Sequence, residues 1–212
     1  WAEAKEGRYI IEDDYDSEFR YKGKPIPALQ GYDRGGKVIY IGTFSKSIAP
    51  AIRMSYMVLP GPVFKMYQEK CGFINSTVSK VDQLILQKFI EDGYYERHLN
   101  KTRALYRSRH DTLLAALKET DPEIRISGEN AGVHLLLHFR DGRSEEELIR
   151  KAAEKGVKVY GLSGYYVDGD NGRREHREES RRKETVILLG YANMNEEKIK
   201  EAVALLGEAW RK

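Results

Sequence analysis

Cysteine is almost missing from these 212 residues, Cys71 being the sole one. An internal disulfide framework is therefore excluded. With no CxxC pair and no Cys/His cluster the sequence offers no zinc site either, and a reducing cytoplasm is the expected compartment. Long apolar runs are also missing: stretches such as Val186 to Leu189 are far too short to span a bilayer, and we expect neither a membrane span nor a signal peptide. An excess of one charge is missing as well. The 36 basic and 33 acidic residues leave a net charge of +3, without the strong positive field of a dedicated nucleic-acid module, so DNA binding by these residues alone is not expected. No internal repeat is visible.

What is present suffices for a folded core. Hydrophobic residues make up 41% of the chain, enough for one large or two small domains. The first residue is Trp1, and the apolar stretch Tyr9 to Ile11 arrives almost at once. We expect a segment of a longer polypeptide. Residues 8 to 13 and 37 to 44 read as buried strands, with Met54 to Leu59 a third, ended by the breaker Pro60-Gly61-Pro62. Val63 to Phe73 has a helical pattern. A long helical tract from about Ser79 to Leu117, interrupted near Gly93, is expected to bridge two lobes with Arg103 to Arg109 in solvent.

Asp121-Pro122 marks a boundary. Beyond it the pattern predicts strands at Ile124 to Ile126, Val133 to Phe139, Val157 to Tyr160 and Val186 to Tyr191. Helices are predicted from Ser144 to Lys155, with Ser144 as cap three residues before Glu147, and from about Asn195 onward. Asp168 to Glu184, charged and Gly-rich, reads as an exposed loop. This part is an α+β lobe.

The chemistry centres on Lys46, which ends the run Lys37-Val38-Ile39-Tyr40-Ile41-Gly42-Thr43-Phe44-Ser45-Lys46. An amine at a strand end can form a covalent imine, provided it is neutral when it attacks, so Lys46 is expected to be partly desolvated. Asp13 or Asp14 can hold a pyridinium nitrogen protonated, Tyr15 can face a phenolate oxygen, and Thr43, Ser45 and Arg53 can hold a phosphate. Those requirements are the contact list of pyridoxal phosphate. Plainer readings compete: Asp13-Asp14 as a strand end entering a turn, Tyr15 as half-buried filler, His98 and His134 as structural histidines, and Cys71 as a small packed residue.

The stretches Ile11-Glu12-Asp13-Asp14-Tyr15-Asp16-Ser17-Glu18-Phe19-Arg20-Tyr21 and Gly42 to Arg53 resemble fold-type-I PLP proteins of the aspartate aminotransferase superfamily. More specifically, they resemble the aminotransferase-like domain of MocR-type regulators in the GntR family. Gly93-Tyr94-Tyr95-Glu96-Arg97-His98-Leu99, Ala131 to Leu135 and Leu188 to Tyr191 extend the match over nearly the whole chain. The resemblance implies an α/β fold: the second half of the PLP-binding large lobe, with the start of an interlobe helix, in residues 1–100, and a small α+β C-terminal lobe in residues 101–212. It makes Lys46 the Schiff-base lysine, Asp13 the partner of the ring nitrogen, Tyr15 the contact to the ring oxygen, and Thr43, Ser45 and Arg53 the phosphate contacts.

Two departures matter. Where the superfamily carries an arginine for the substrate carboxylate this sequence has Glu184-Thr185-Val186, with Arg181 and Arg182 just upstream and Arg173, Arg174 and Arg177 nearby. The phosphate loop, stacking aromatic and asparagine of the family's first half, and the winged helix-turn-helix of a MocR regulator, are not assignable. The implied function is a PLP-bearing effector domain that responds to an amine or amino acid. Its implied partners are a second copy of the chain in a homodimer and DNA through a separate N-terminal module. The alternatives are a PLP-dependent aminotransferase, and an incomplete segment that binds nothing and aggregates through exposed strand edges.

Overall fold

Ile10 and Ile11, and then Val38, Ile39 and Ile41, favour extended backbone because branching at Cβ fits a pleated surface. In the computed structural model, which describes residues 1–121, 124–165 and 184–211, they form β1 (Ile10–Asp14) and β2 (Val38–Thr43), and a third strand follows as β3 (Ser55–Val58). β1 and β2 pair in parallel, with Ile10 opposite Val38 and Asp14 opposite Gly42, and β2 and β3 pair antiparallel in the order β1-β2-β3. The parallel crossover is tied down by two carboxylates. Glu12 accepts the N–H groups of Leu29 at 2.7 Å and Gln30 at 3.0 Å, while Asp33 accepts those of Lys37 at 2.6 Å, Val38 at 2.7 Å and Gly35 at 3.1 Å.

The chain divides into two compact units, Trp1–Arg103 and Ala104–Lys212. In the first, the expectation of buried strands needs correction. β1 alternates half-buried and exposed positions, Ile11 is 67% exposed, and β3 is exposed throughout. The reason lies in the covering layer: helices α2 (Gly61–Cys71) and α3 (Lys80–Glu91) bury none of their residues. Buried apolar side chains in this unit are Ala2, Phe19, Tyr21, Val38, Met54 and Leu99. The helix expected from Val63 begins at Gly61, because Pro62 falls in the first turn, where a fixed φ and a missing N–H cost nothing.

The expected break in the long helical tract falls at Gly93, whose φ of 70° suits glycine, between α3 and α4 (Tyr94–Thr120). α4 starts in the first unit and ends in the second. Its charged stretch is not simply solvated: Arg103 Nε donates to the Glu18 carbonyl at 2.6 Å, Arg109 donates to the Ala192 carbonyl, and His110 is fully buried, edge-on to the Tyr191 ring at 5.9 Å.

In the second unit β4 (Arg125–Ser127), β5 (His134–Phe139), β6 (Tyr160–Gly161) and β7 (Thr185–Gly190) form an antiparallel sheet in the order β4-β5-β7-β6. The strand expected at Val157 to Tyr160 is reduced to two residues. Helix α5 (Glu145–Glu154) is capped by Ser144, which accepts the Glu147 N–H at 3.1 Å, and α6 (Glu196–Trp210) by Asn195, which accepts that of Lys198 at 2.9 Å. Leu135, Leu137, Leu148, Ile187, Ile199, Val203 and Leu206 are buried between sheet and helices. Trp210 closes the end of this core, donating Nε1–H to the Leu148 carbonyl at 3.0 Å and meeting Phe139 edge-on at 5.2 Å. The loop expected at Asp168 to Glu184 lies, apart from Glu184, outside the described residues.

Candidate cofactor-binding site

Parallel pairing brings the carboxyl ends of β1 and β2 side by side, the usual location of ligand sites in parallel sheets. Asp13, Asp14 and Tyr15 therefore adjoin Thr43, Phe44, Ser45 and Lys46. Opposed residues share a face, so Asp13 stands with Ile41, and Asp14 with Gly42 and Tyr40 on the other side. Hydrogen bonds separate the two carboxylates in the same way. Asp14 accepts from Ser17 N at 3.2 Å, Ser17 Oγ at 2.8 Å and Tyr40 Oη at 2.7 Å. Asp13 is exposed and makes no hydrogen bond or ion pair among the described residues. Of the two acids open from sequence, Asp13 is the one available to a ligand.

Thr43 ends β2 and caps the short helix α1 (Phe44–Ser47) that carries Lys46. Its hydroxyl accepts the Ser45 N–H at 3.2 Å and donates to the Met54 carbonyl at 3.1 Å, which also accepts the Phe44 N–H at 3.0 Å. Arg53 precedes Met54, so these bonds tie it to the same corner. Its backbone is left-handed, φ 47° and ψ 36°, and among the described residues no other non-glycine has a positive φ. That conformation costs a side-chain-bearing residue about 1–2 kcal/mol, and such strain concentrates where function demands a geometry.

Lys46 is exposed, against the expectation that it is partly desolvated. The cause is the packing of α1. Ser47 is fully buried, and Phe44 sits between Tyr56, at 5.3 Å, and Tyr95, at 6.0 Å, which leaves the Lys46 amine on the open side. Tyr15 is 44% exposed, and its phenol is held above its ordinary value first by the Asp16 carboxylate, then by burial and by Asp13. It remains a neutral donor at physiological pH. Tyr95 is likewise raised by burial, with the Ser47 hydroxyl beside it acting in the opposite sense.

Several partners of this corner leave no pattern in the sequence. Burial pushes the Glu18 carboxyl up, and Phe19, fully buried, closes the turn after Tyr15 with its N–H on the Asp16 carbonyl at 3.0 Å. Tyr40 and Tyr56 meet at 6.1 Å over Gly42. Tyr56 stands opposite Gly42 in the register, a pairing visible only once the strands are matched.

His98 contacts the Phe89 ring edge-on at 6.3 Å and lies 3.4 Å from Thr102 Oγ1, His134 is half-buried in β5, and Cys71 is half-buried at the end of α2. Among the described residues no group of three acids, histidines or cysteines is arranged for a metal ion. Thr185 donates its hydroxyl to the Arg143 carbonyl at 2.7 Å. Burial pushes the neighbouring Glu184 carboxyl up, but Arg140, His138 and Arg125 outweigh it and hold it below the usual range. Arg173, Arg174, Arg177, Arg181 and Arg182 lie outside the described residues.

The donor set fits a pyridoxal phosphate group: an open amine, a carboxylate without a partner among the described residues, a neutral phenol, two hydroxyls and a guanidinium occupy adjoining strand ends. Comparison with known proteins agrees. Residues 3–206 match the model of aminotransferase class I and II. The chain is 42% identical over 211 residues to an uncharacterized HTH-type transcriptional regulator, YhdI, of Bacillus subtilis strain 168, covering 99% of this chain and 42% of that protein. It is 30% identical to the probable rhizopine catabolism regulatory protein MocR of Rhizobium meliloti, over 95% of this chain and 39% of that one. Among solved structures it resembles the α-aminoadipate aminotransferase LysN of Thermus thermophilus, complexed with N-(5'-phosphopyridoxyl)-L-leucine, with a TM-score of 0.77, 27% identity, and coverage of 95% and 49%. The chain thus spans less than half the length of each. Family and complex together indicate pyridoxal phosphate as the cofactor of this fold.

Proposed function

The chain belongs to the aminotransferase class I and II family, and on that premise we propose that it is part of the effector domain of a transcription regulator, holding pyridoxal phosphate on Lys46 and responding to an amine or amino acid. The observation that supports this most is the parallel register of β1 and β2, with Asp13 opposite Ile41 and the Asp14 carboxylate engaged on the other face. In this reading residues 1–100 contribute to a large, cofactor-bearing lobe and residues 101–212 form a small lobe.

When bound, the cofactor supplies an electrophilic carbon for amines and a ring that accepts electron density. Lys46 would hold it through its side-chain amine. Asp13 would accept a hydrogen bond from the ring nitrogen and keep that nitrogen protonated. Tyr15 would donate its phenolic proton toward the ring oxygen. Thr43, Ser45 and Arg53 would hold the phosphate, Ser45 and Arg53 as donors and Thr43, whose hydroxyl proton goes to the Met54 carbonyl, by fixing the turn that presents them. Arg53 is presented by its left-handed backbone, and Thr43 is fixed by its bond to Met54.

Relatives support the regulatory role over turnover, since YhdI and MocR are named as regulators. About where the superfamily is expected to carry its carboxylate-binding arginine stands Glu184-Thr185-Val186, and the Thr185 hydroxyl donates to the Arg143 carbonyl. A second reading, an aminotransferase in which Lys46 also moves a proton, is favoured by the likeness to LysN. DNA contact through a separate module, and a homodimer, belong to the regulatory reading. Among the described residues no helix is long and apolar enough to cross a membrane.

Adding amino acids to the full-length natural protein loaded with pyridoxal phosphate separates the two. Regulation predicts a changed visible spectrum and changed binding to its own promoter DNA with no keto acid released. Stoichiometric turnover into keto acid supports the enzyme, and no spectral response to any amine contradicts both.

A further inference from the structure

Two aspartates stand next to each other at the end of β1, and like charges so placed compete for one cationic partner. The structure resolves the competition with three donors. Ser17 gives its N–H and its hydroxyl to Asp14, and Tyr40, reaching across from β2, gives its own hydroxyl at 2.7 Å. Burial and the bond to Asp14 raise the Tyr40 phenol, which keeps it a neutral donor near neutral pH.

Tyr40 is itself held. Its ring stands 6.1 Å from that of Tyr56, which lies over Gly42 so closely that a Cβ there would come within 2.4 Å of Tyr56 Cζ. The Tyr56 ring also meets that of Phe44 at 5.3 Å, two residues before Lys46. A line of contacts therefore runs from Ser17, beside Tyr15, through Asp14, Tyr40, Tyr56 and Phe44 to the helix that carries Lys46. It joins the two segments of the cofactor site on the face opposite the one the cofactor uses.

We propose that Asp14 and Tyr40 are positioning residues: the Tyr40 hydroxyl holds the Asp14 carboxylate away from the cofactor, so that Asp13 alone meets the ring nitrogen at a fixed place relative to Lys46. This rests on the cofactor reading above. Neither residue touches the cofactor. Each acts through Asp13 and through the turn that carries Tyr15.

The test uses the full-length natural protein loaded with pyridoxal phosphate, and reads the pH midpoint of the visible band of the lysine-bound cofactor. Besides Asp13 and Asp14, the titratable and charged groups at this corner are Glu12, Tyr15, Asp16, Glu18, Tyr40, Lys46, Arg53, Tyr56, Tyr95 and Arg103. Tyr40→Phe keeps every ring contact and removes one hydrogen bond. The freed Asp14 charge then adds to that of Asp13, and the midpoint is expected to rise by about half a pH unit or more, with cofactor affinity falling about tenfold. Asp14→Asn keeps an acceptor for Tyr40 and removes the charge, so its midpoint is expected to fall by a similar amount. A purely structural role does not produce shifts of opposite sign. Melting of the cofactor-free proteins is measured alongside, and Asp14→Asn decides the question if Tyr40→Phe proves unstable. A wild-type band whose midpoint neither variant moves overturns this proposal alone, whereas a wild-type protein with no such band overturns the cofactor reading and this proposal with it.

Discussion

Arg53 shows how much a single residue can carry. Its left-handed backbone turns the chain from the 3₁₀ turn Pro50–Ile52 toward β3, a job glycine does without strain, yet the sequence keeps a guanidinium there. We predict that Arg53→Gly and Arg53→Ala both lose about tenfold or more in pyridoxal phosphate affinity. The cofactor-free glycine variant should nonetheless be more stable than the alanine variant by about 1 kcal/mol, because only alanine keeps the strain. Fluorescence titration and urea unfolding check the two halves. At this scale the sequence marked the candidate residue types and their order, but not which face each occupies. Asp13 and Asp14 are equivalent in composition and become distinct only when the strand alternates and Tyr40 claims one of them. The exposure of Lys46 was likewise illegible, since it follows from which side of a four-residue helix Phe44 and Ser47 bury.

Elements were more legible where a local signal fixes an end. Ser144 before Glu147 marked the start of α5, and the glycine between α3 and α4 marked the break. Ser144→Ala is expected to cost about 1 kcal/mol, read as a lowered melting midpoint of the second unit's transition. The burial of β1 and β3 was not legible, because an apolar strand announces what it can bury against, not whether that layer is present. The loop before β2 carries a pH dependence. N–H groups of Val38, Lys37 and Gly35 hold the Asp33 carboxyl below its ordinary 3.8. A folded value below the unfolded one gives stability that is present above pH 3.8 and is lost as pH falls through the lowered folded value. Unfolding titrations below about pH 5 should therefore show a steeper acid loss in the wild type than in Asp33→Asn, which has no charge to protonate.

At the scale of the molecule the two units differ in kind. The second encloses a core between sheet and helices, and Leu137→Ala there should cost about 2–5 kcal/mol. The first leaves Ile11, Phe73, Leu84 and Ile85 each more than half exposed. Exposed apolar side chains favour association where they lie together. These 212 residues alone are expected to bind an apolar dye and scatter light, and a monomeric, cooperative melt would contradict that. The family was legible because its chemistry sits in two short, contiguous stretches. The regulatory role rests on likeness to proteins more than twice as long.

The claim on which the rest depends is the bond at Lys46. Borohydride reduction of the full-length protein incubated with pyridoxal phosphate, followed by peptide mapping in a mass spectrometer, tests it directly. A pyridoxyl group on the peptide containing Lys46, absent from Lys46→Ala, is the predicted result. A modification spread over surface lysines, or one that persists in Lys46→Ala, would contradict the account.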